Sequence, residues 1–160
     1  MNALLSRQDF ARQRPDLAEA GRELFYFFGA GLGLLSTVRR DGGPRLHPVC
    51  PVIAGDGFYV FVLPSPKLND LLRDGRYALH NNPPADNDDA FYVTGRAERR
   101  QDPVLRRVVE AEYFAGLKLD KPWPGFENEV MFELLIETCL LTRTPGHGPP
   151  YTHTVWKAPR

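Results

Sequence analysis

Phe61-Val62-Leu63-Pro64-Ser65-Pro66-Lys67-Leu68-Asn69-Asp70-Leu71-Leu72 passes from an apolar strand straight into a helix, and the segments on either side of it decide the fold. Ser65 has the side chain of an N-cap, and Pro66 suits the first helical position, where a missing N–H costs nothing. Lys67 adds a cation beside the N–H groups that a first turn leaves without partners. Dipole, donors and charge then act together on an anion. A phosphorylated ligand is the first functional expectation. The plain alternative is that Ser65 and Pro66 only start a helix and Lys67 is solvated.

Working outward, Gly55-Asp56-Gly57 is turn chemistry, so Phe58 to Leu63 is a strand that leads into the Ser65 helix, which stops near Asp74-Gly75. Arg76 to Asn81 is the next strand. Upstream, residues 31 to 39 form an apolar strand that returns through Asp41-Gly42 into a second strand, Leu46 to Ile53. Pro48 and Pro51 cannot donate ladder hydrogen bonds, which puts that strand at an edge, a bulge or a break. Downstream, the polar loop Asn82 to Asp88 precedes a strand from Phe91 to Ala97, and Asp102-Pro103 is a clear helix start with Leu105, Val108, Val109 and Tyr113 on one face. Residues 116 to 128 read as an irregular ordered loop. Val130 to Arg143 fits a helix or a strand by periodicity alone; the breakers Thr144-Pro145-Gly146 and the preceding strands favour a long strand, and Thr154 to Lys157 is a short last one. Pro15-Asp16 opens a helix of about residues 15–28, with Leu17, Ala20, Leu24 and Phe28 at helical spacing. The pattern predicts a mainly β protein with peripheral helices: six to seven mostly antiparallel strands in a closed or nearly closed barrel.

The chain has 160 residues, which predicts one domain over 1–160. Lys plus Arg balances Asp plus Glu at 20 each, so no basic field favours nucleic acid or an anionic membrane. Two cysteines, Cys50 and Cys139, lack metal or redox spacing and read as buried free thiols. No apolar run has the length of a membrane helix, and Arg7, Asp9 and Arg12 stand where a signal peptide is apolar, so a cytoplasmic protein is expected.

Leu34-Leu35-Ser36-Thr37-Val38-Arg39, Asp41-Gly42-Gly43-Pro44-Arg45-Leu46-His47-Pro48-Val49, Ser65-Pro66-Lys67 and Arg76-Tyr77-Ala78-Leu79 come in an order and spacing that resembles the pyridoxamine 5'-phosphate oxidase-like proteins, the FMN-binding split-barrel superfamily. The resemblance runs from about Gly31 to Gln101. Met131-Phe132-Glu133-Leu134 and Val155-Trp156-Lys157 also resemble the end of its small members. It implies a split β-barrel that forms a homodimer, with FMN sites at the subunit interface. Ser65 and Lys67 then take the phosphate position, followed by Leu68 in the same turn. Arg45, His47, Pro48 and Val49 lie on the strand that flanks the ribityl phosphate and the isoalloxazine, and Trp156 would cover the ring from the other subunit. Two departures stand out. Val52 occupies the place, counted from His47, of a substrate-contacting lysine, and the tail from Tyr151 to Arg160 lacks an arginine-containing substrate motif. Pyridoxamine phosphate is therefore not the expected substrate.

Residue by residue, Arg45 beside a turn also suits a solvated strand position, and His47 also suits a half-buried histidine satisfied by a carbonyl. His80, His147 and His153 have no ligand-type neighbour at metal spacing, so no metal is expected. No nucleophile has a base at recognisable spacing, and catalytic residues stay unassigned. That suits a flavoprotein, since the flavin carries the redox chemistry and the protein binds and orients it. The expected function is a flavin-dependent oxidoreductase acting on an unknown small molecule. A deazaflavin-dependent reductase, with Arg39, Arg40 and Arg45 holding an acidic tail, is one alternative. A flavin- or haem-binding protein without turnover is the other.

Overall fold

The computed structural model describes residues 2–26 and 29–160. Its helices are α1 (Arg7–Gln13), α2 (Pro15–Phe25), α3 (Pro66–Arg73) and α4 (Pro103–Leu117), with a short 3-10 turn at Phe126–Asn128. Its strands are β1 (Gly33–Val38), β2 (Pro44–Val49), β3 (Val52–Ala54), β4 (Gly57–Val62), β5 (Arg76–Asn81), β6 (Ala90–Arg99), β7 (Val130–Arg143) and β8 (Thr152–Lys157). All pairings are antiparallel, in the order β2-β1-β5-β6-β7-β4-β3, and β8 also pairs with β7.

The single strand expected from Leu46 to Ile53 is divided. Pro51 has no N–H and a fixed φ, and the chain leaves the ladder at Cys50 and Pro51 before re-entering as β3. This makes the strand count eight. It also sets the architecture, because β2 and β3 are the two edges of one sheet and are consecutive in sequence. The sheet must curl until those edges approach, which gives a half-barrel. At the crossing the backbone of Gly31 lies against Pro51, and a Cβ there would stand 1.9 Å from the Pro51 carbonyl oxygen. Pro48 sits on the edge strand, where its missing donor is tolerated.

β4 is buried along its whole length because both of its faces are covered. Phe58, Val60 and Val62 point into the barrel with Leu35, Leu79 and Leu134. Tyr59 and Phe61 point outward under α4, where they meet Val109, Phe114, Phe126 and Met131. The helices at the N-terminus close the barrel with Phe10, Leu17 and Phe25. The sequence reading missed α1, whose start is set by Ser6: its hydroxyl accepts from the Asp9 N–H at 3.2 Å. The helix expected to reach residue 28 ends at Phe25, and Phe28 lies outside the described residues. Cys139 is buried as expected, with its thiol pushed up to about 12 by burial, whereas Cys50, on the crossing between the edges, is only half-buried. No helix among the described residues is long and apolar enough to cross a membrane.

The long β6–β7 ladder is interrupted by a register shift between Thr94 and Gly95. A Cβ at Gly95 would stand 1.8 Å from the Leu135 carbonyl oxygen. Backbone cannot retreat like the end of a side chain, so Gly95→Ala is expected to cost about 3 kcal/mol or more. Urea unfolding measures it; an unchanged midpoint would mean that the bulge relaxes freely.

Candidate functional site

α3 begins as its sequence dictates. Ser65 is extended, its Oγ accepts from the Leu68 N–H at 3.3 Å and donates to the Leu63 carbonyl at 2.9 Å, and Pro66 opens the helix. The first turn is less rich in free donors than expected. Pro66 has no N–H, Leu68 is capped and the Asn69 N–H reaches the Ser65 carbonyl, so the Lys67 N–H is the backbone donor left over. Anion attraction here depends more on side-chain charge than on the helix end.

That charge is placed by burial. Lys67 is only 9% exposed, and no hydrogen bond or ion pair ties it to the described residues. Burial pulls its ammonium below its usual value, and the charge of Glu129 opposes this. Leu68 faces the barrel interior with Leu71 and anchors this turn.

One helical turn along, Asp70 is 4% exposed and collects three donors. Arg45 Nε donates to Oδ2 at 2.7 Å, Thr37 Oγ1 to the same oxygen at 3.0 Å, and Arg73 Nη1 lies 3.3 Å from Oδ1. Burial pushes this carboxyl up, and the hydrogen bonds from Arg45, Thr37 and Arg73 together bring it below its usual value. The network ties α3 to β1 and to edge strand β2. It also aims Arg45, whose Nε is spent on Asp70 while its terminal nitrogens make no hydrogen bond to the described residues.

His47 and Val49 follow Arg45 on the same face of β2, with His47 half-buried opposite Leu35 and Val49 in the core; Pro48 points to the other face. β2 has no strand on its second side, so half of its backbone groups are open to a ligand edge. The β1–β2 turn brings Arg39 and Arg40 beside Arg45, Pro66 and Asn69, around a recess of about 450 Å³. Arg39 is paired with Asp41 at 3.0 Å. Arg45 thus shares the recess with Pro66 and Asn69 of the first turn of α3, in which Ser65 and Lys67 flank Pro66, while His47 lies two residues along β2 from Arg45.

Trp156 is elsewhere in its own chain. It pairs with Cys139 far along β7, at the end remote from the Val62–Val130 pair, and its ring packs edge-on against Phe10 with centroids 4.9 Å apart. Nine residues of strand separate the two positions on β7, roughly 30 Å. The three scattered histidines have separate partners, the Asn81 carbonyl, Asp88 and Thr142, and no metal-type cluster occurs among the described residues.

Sequence reading passed over a second polar cluster, under α4. Glu129 is 7% exposed, accepts from Trp123 Nε1 at 3.1 Å, and has its carboxyl pushed up by burial. Nearby, burial pushes up both the Tyr113 hydroxyl and the Cys50 thiol. The aromatic content of residues 113–126 was the visible signal; the carboxylate among those rings was not.

No family model and no curated protein matches the chain. Solved structures do. A haem-binding protein from Mycobacterium smegmatis matches with a TM-score of 0.60 at 19% identity, over 84% of this chain and 57% of that one. The chain therefore spans little more than half of that protein's length. A protein related to general stress protein 26, of the pyridoxinephosphate oxidase family, from Clostridium acetobutylicum matches at 0.58 and 13% identity, over 94% and 95%. An F420 reductase matches at 0.58 and 20%, over 74% of this chain and 94% of that one. The chain has the split-barrel fold of the pyridoxamine phosphate oxidase-like proteins.

Removing the Asp70 charge takes the buried acceptor from the part-buried Arg45, the buried Thr37 hydroxyl and the exposed Arg73. Asp70→Asn is expected to lose on the order of 3 kcal/mol of stability. A carboxyl held low in the folded state contributes fully above its unfolded value near pH 4, and that contribution fades as the pH falls through the folded value. The two proteins should therefore converge in acid. A stability gap of the same size at about pH 7 and about pH 2.5 would show that the Asp70 ionisation is not involved.

Proposed function

We propose that this split barrel binds FMN and serves as a flavin-dependent oxidoreductase for a small molecule. The carrying observation is two cations beside α3, Lys67 in its first turn without an ion pair to the described residues, and Arg45 on β2, held by the buried Asp70 with its terminal nitrogens making no hydrogen bond to the described residues. A phosphate suits this donor set, since it accepts several charge-assisted hydrogen bonds at once. The exposed backbone side of β2 at His47 to Val49 suits the polar edge of the ring. When bound, the flavin accepts or gives a hydride. In this reading, this chain's residues hold the phosphate at Ser65, Lys67 and Arg45 and orient the ring along β2.

The deazaflavin reading has one observation of its own, the recess where Arg39 and Arg40 join Arg45, which suits a longer acidic tail. The names of the structural neighbours include both a haem-binding protein and an F420 reductase. An absorption spectrum of the purified protein and parallel titrations with FMN and a deazaflavin separate these readings. Tighter FMN binding supports the first. A colourless protein with no fluorescence response to FMN defeats it. Lys67→Ala is expected to weaken FMN binding by about 1.5 to 3 kcal/mol, with the fold intact. Unchanged affinity would reduce Lys67 to a structural residue.

The same proposal includes a homodimer. On the outer face of the sheet, Pro48, Leu34, His80, Tyr92, Leu140 and Val155 follow one another across six paired strands. Leu46 at 62% and Val155 at 61% exposure lie on this face, which is wide and apolar for a surface facing water. Sedimentation should show a dimer that Leu46→Glu and Val155→Glu together dissociate. A wild-type monomer at micromolar concentration would count against it.

A further inference from the structure

Asp70 is a buried carboxylate beside the proposed phosphate site. It follows Lys67 by one turn of α3 and lines the same recess as Arg39, Arg40, Arg45, Pro66 and Asn69. As a charge alone it would repel an anion there. Its hydrogen bonds show another use. Oδ2 accepts from Arg45 Nε at 2.7 Å and from Thr37 Oγ1 at 3.0 Å, while Oδ1 faces Arg73 Nη1 at 3.3 Å. Arg73 is committed twice, since its Nη2 donates to the Val38 carbonyl. Arg45 is committed at Nε only, and its guanidinium is a rigid plane, so holding Nε sets the direction of both terminal nitrogens. Thr37 stands behind this arrangement. It is 1% exposed, pairs with Arg45 in the β1–β2 register, and takes no part in lining the recess. The other arginines of the recess are not bonded to Asp70: Arg39 is paired with Asp41 at 3.0 Å, and Arg40 makes no ion pair to the described residues.

We infer that Asp70 and Thr37 are positioning residues for the flavin phosphate: Asp70 holds Arg45 at Nε so that its two terminal nitrogens meet the phosphate oxygens, and the Thr37 hydroxyl fixes the carboxylate that does so. This role rests on the FMN reading above and adds to it two residues that act through Arg45. An arginine whose direction is set before the ligand arrives loses little side-chain freedom on contact, and its end-on pair of nitrogens matches two oxygens of one phosphate. The sign of the Asp70 effect separates this role from plain electrostatics. A neighbouring negative charge opposes FMN, whereas a positioning carboxylate favours it.

FMN titrated into wild type, Thr37→Val, Thr37→Ser and Asp70→Asn at neutral pH tests this. Thr37→Val keeps the branched shape and the charge balance of the site and removes only the hydroxyl; Thr37→Ser keeps the hydroxyl and removes the methyl. Thr37→Val should weaken FMN binding about fivefold to tenfold, the worth of one hydrogen bond, and Thr37→Ser should restore it. In an Arg45→Ala background, which retains Ser65 and Lys67, Thr37→Val should leave FMN affinity unchanged, because the residue it acts through is gone. Asp70→Asn should weaken FMN binding although it removes a negative charge. Tighter binding by Asp70→Asn, no restoration by Thr37→Ser, or the same loss from Thr37→Val with and without Arg45 would each overturn the positioning role while leaving FMN binding intact. No FMN binding by wild type would overturn both.

Discussion

Two residues, Cys50 and Pro51, join the opposite edges of the sheet, and most of the architecture follows from that short link. A chain that moves from one edge strand to the other in so few residues cannot lie in a flat sheet. Curling is enforced covalently, and the close approach of Gly31 to the Pro51 carbonyl shows how little room the crossing leaves. Once the sheet is curled, one face becomes a sealed apolar interior and the other divides into a part under α4 and a part facing water. The start of α3, set between the edge strand β2 and the interior, inherits its half-buried character from the same constraint.

Much of this was legible because turn chemistry and caps are local. Asp41-Gly42 and Gly55-Asp56-Gly57 sit at their turns, Asp102-Pro103 and Ser65-Pro66 start their helices, and Arg76–Asn81 and Val130–Arg143 have the expected bounds. The misses share a different cause. α1 is only seven residues long, too short for a periodic pattern to speak against an irregular start. The strand from Leu46 to Ile53 reads as continuous because apolar residues run through both halves, although they belong to opposite edges, a largely exposed β2 and a buried β3. Asp70 and Glu129 look like surface carboxylates in sequence; Asp70 is buried because Arg45 and Thr37, far along the chain, meet it, and Glu129 because the loop folds its near neighbour Trp123 over it beside α4. Cys50 was read as buried from its apolar neighbours and is half-exposed because it stands on the crossing.

The two buried carboxylates are held by different donors. Asp70 is saturated with donors and works as a strut, fixing α3 to β1 and β2 while leaving the far end of Arg45 unused. Glu129 is held instead by Trp123 Nε1, among the rings under α4.

The central place of β7 shapes how the chain reaches this structure. Tyr59 pairs with Glu133, Val93 with Cys139 and Leu141 with Thr154, so one late strand holds β4, β6 and β8 together. During synthesis, β4 and β6 leave the ribosome well before the strand that must lie between them, each with an open edge and an apolar face. Such distant pairings make loop closure costly before any contact rewards it. The barrel can zip shut only after residue 143 is available, and until then the nascent chain is the state in which it is most exposed to misassembly.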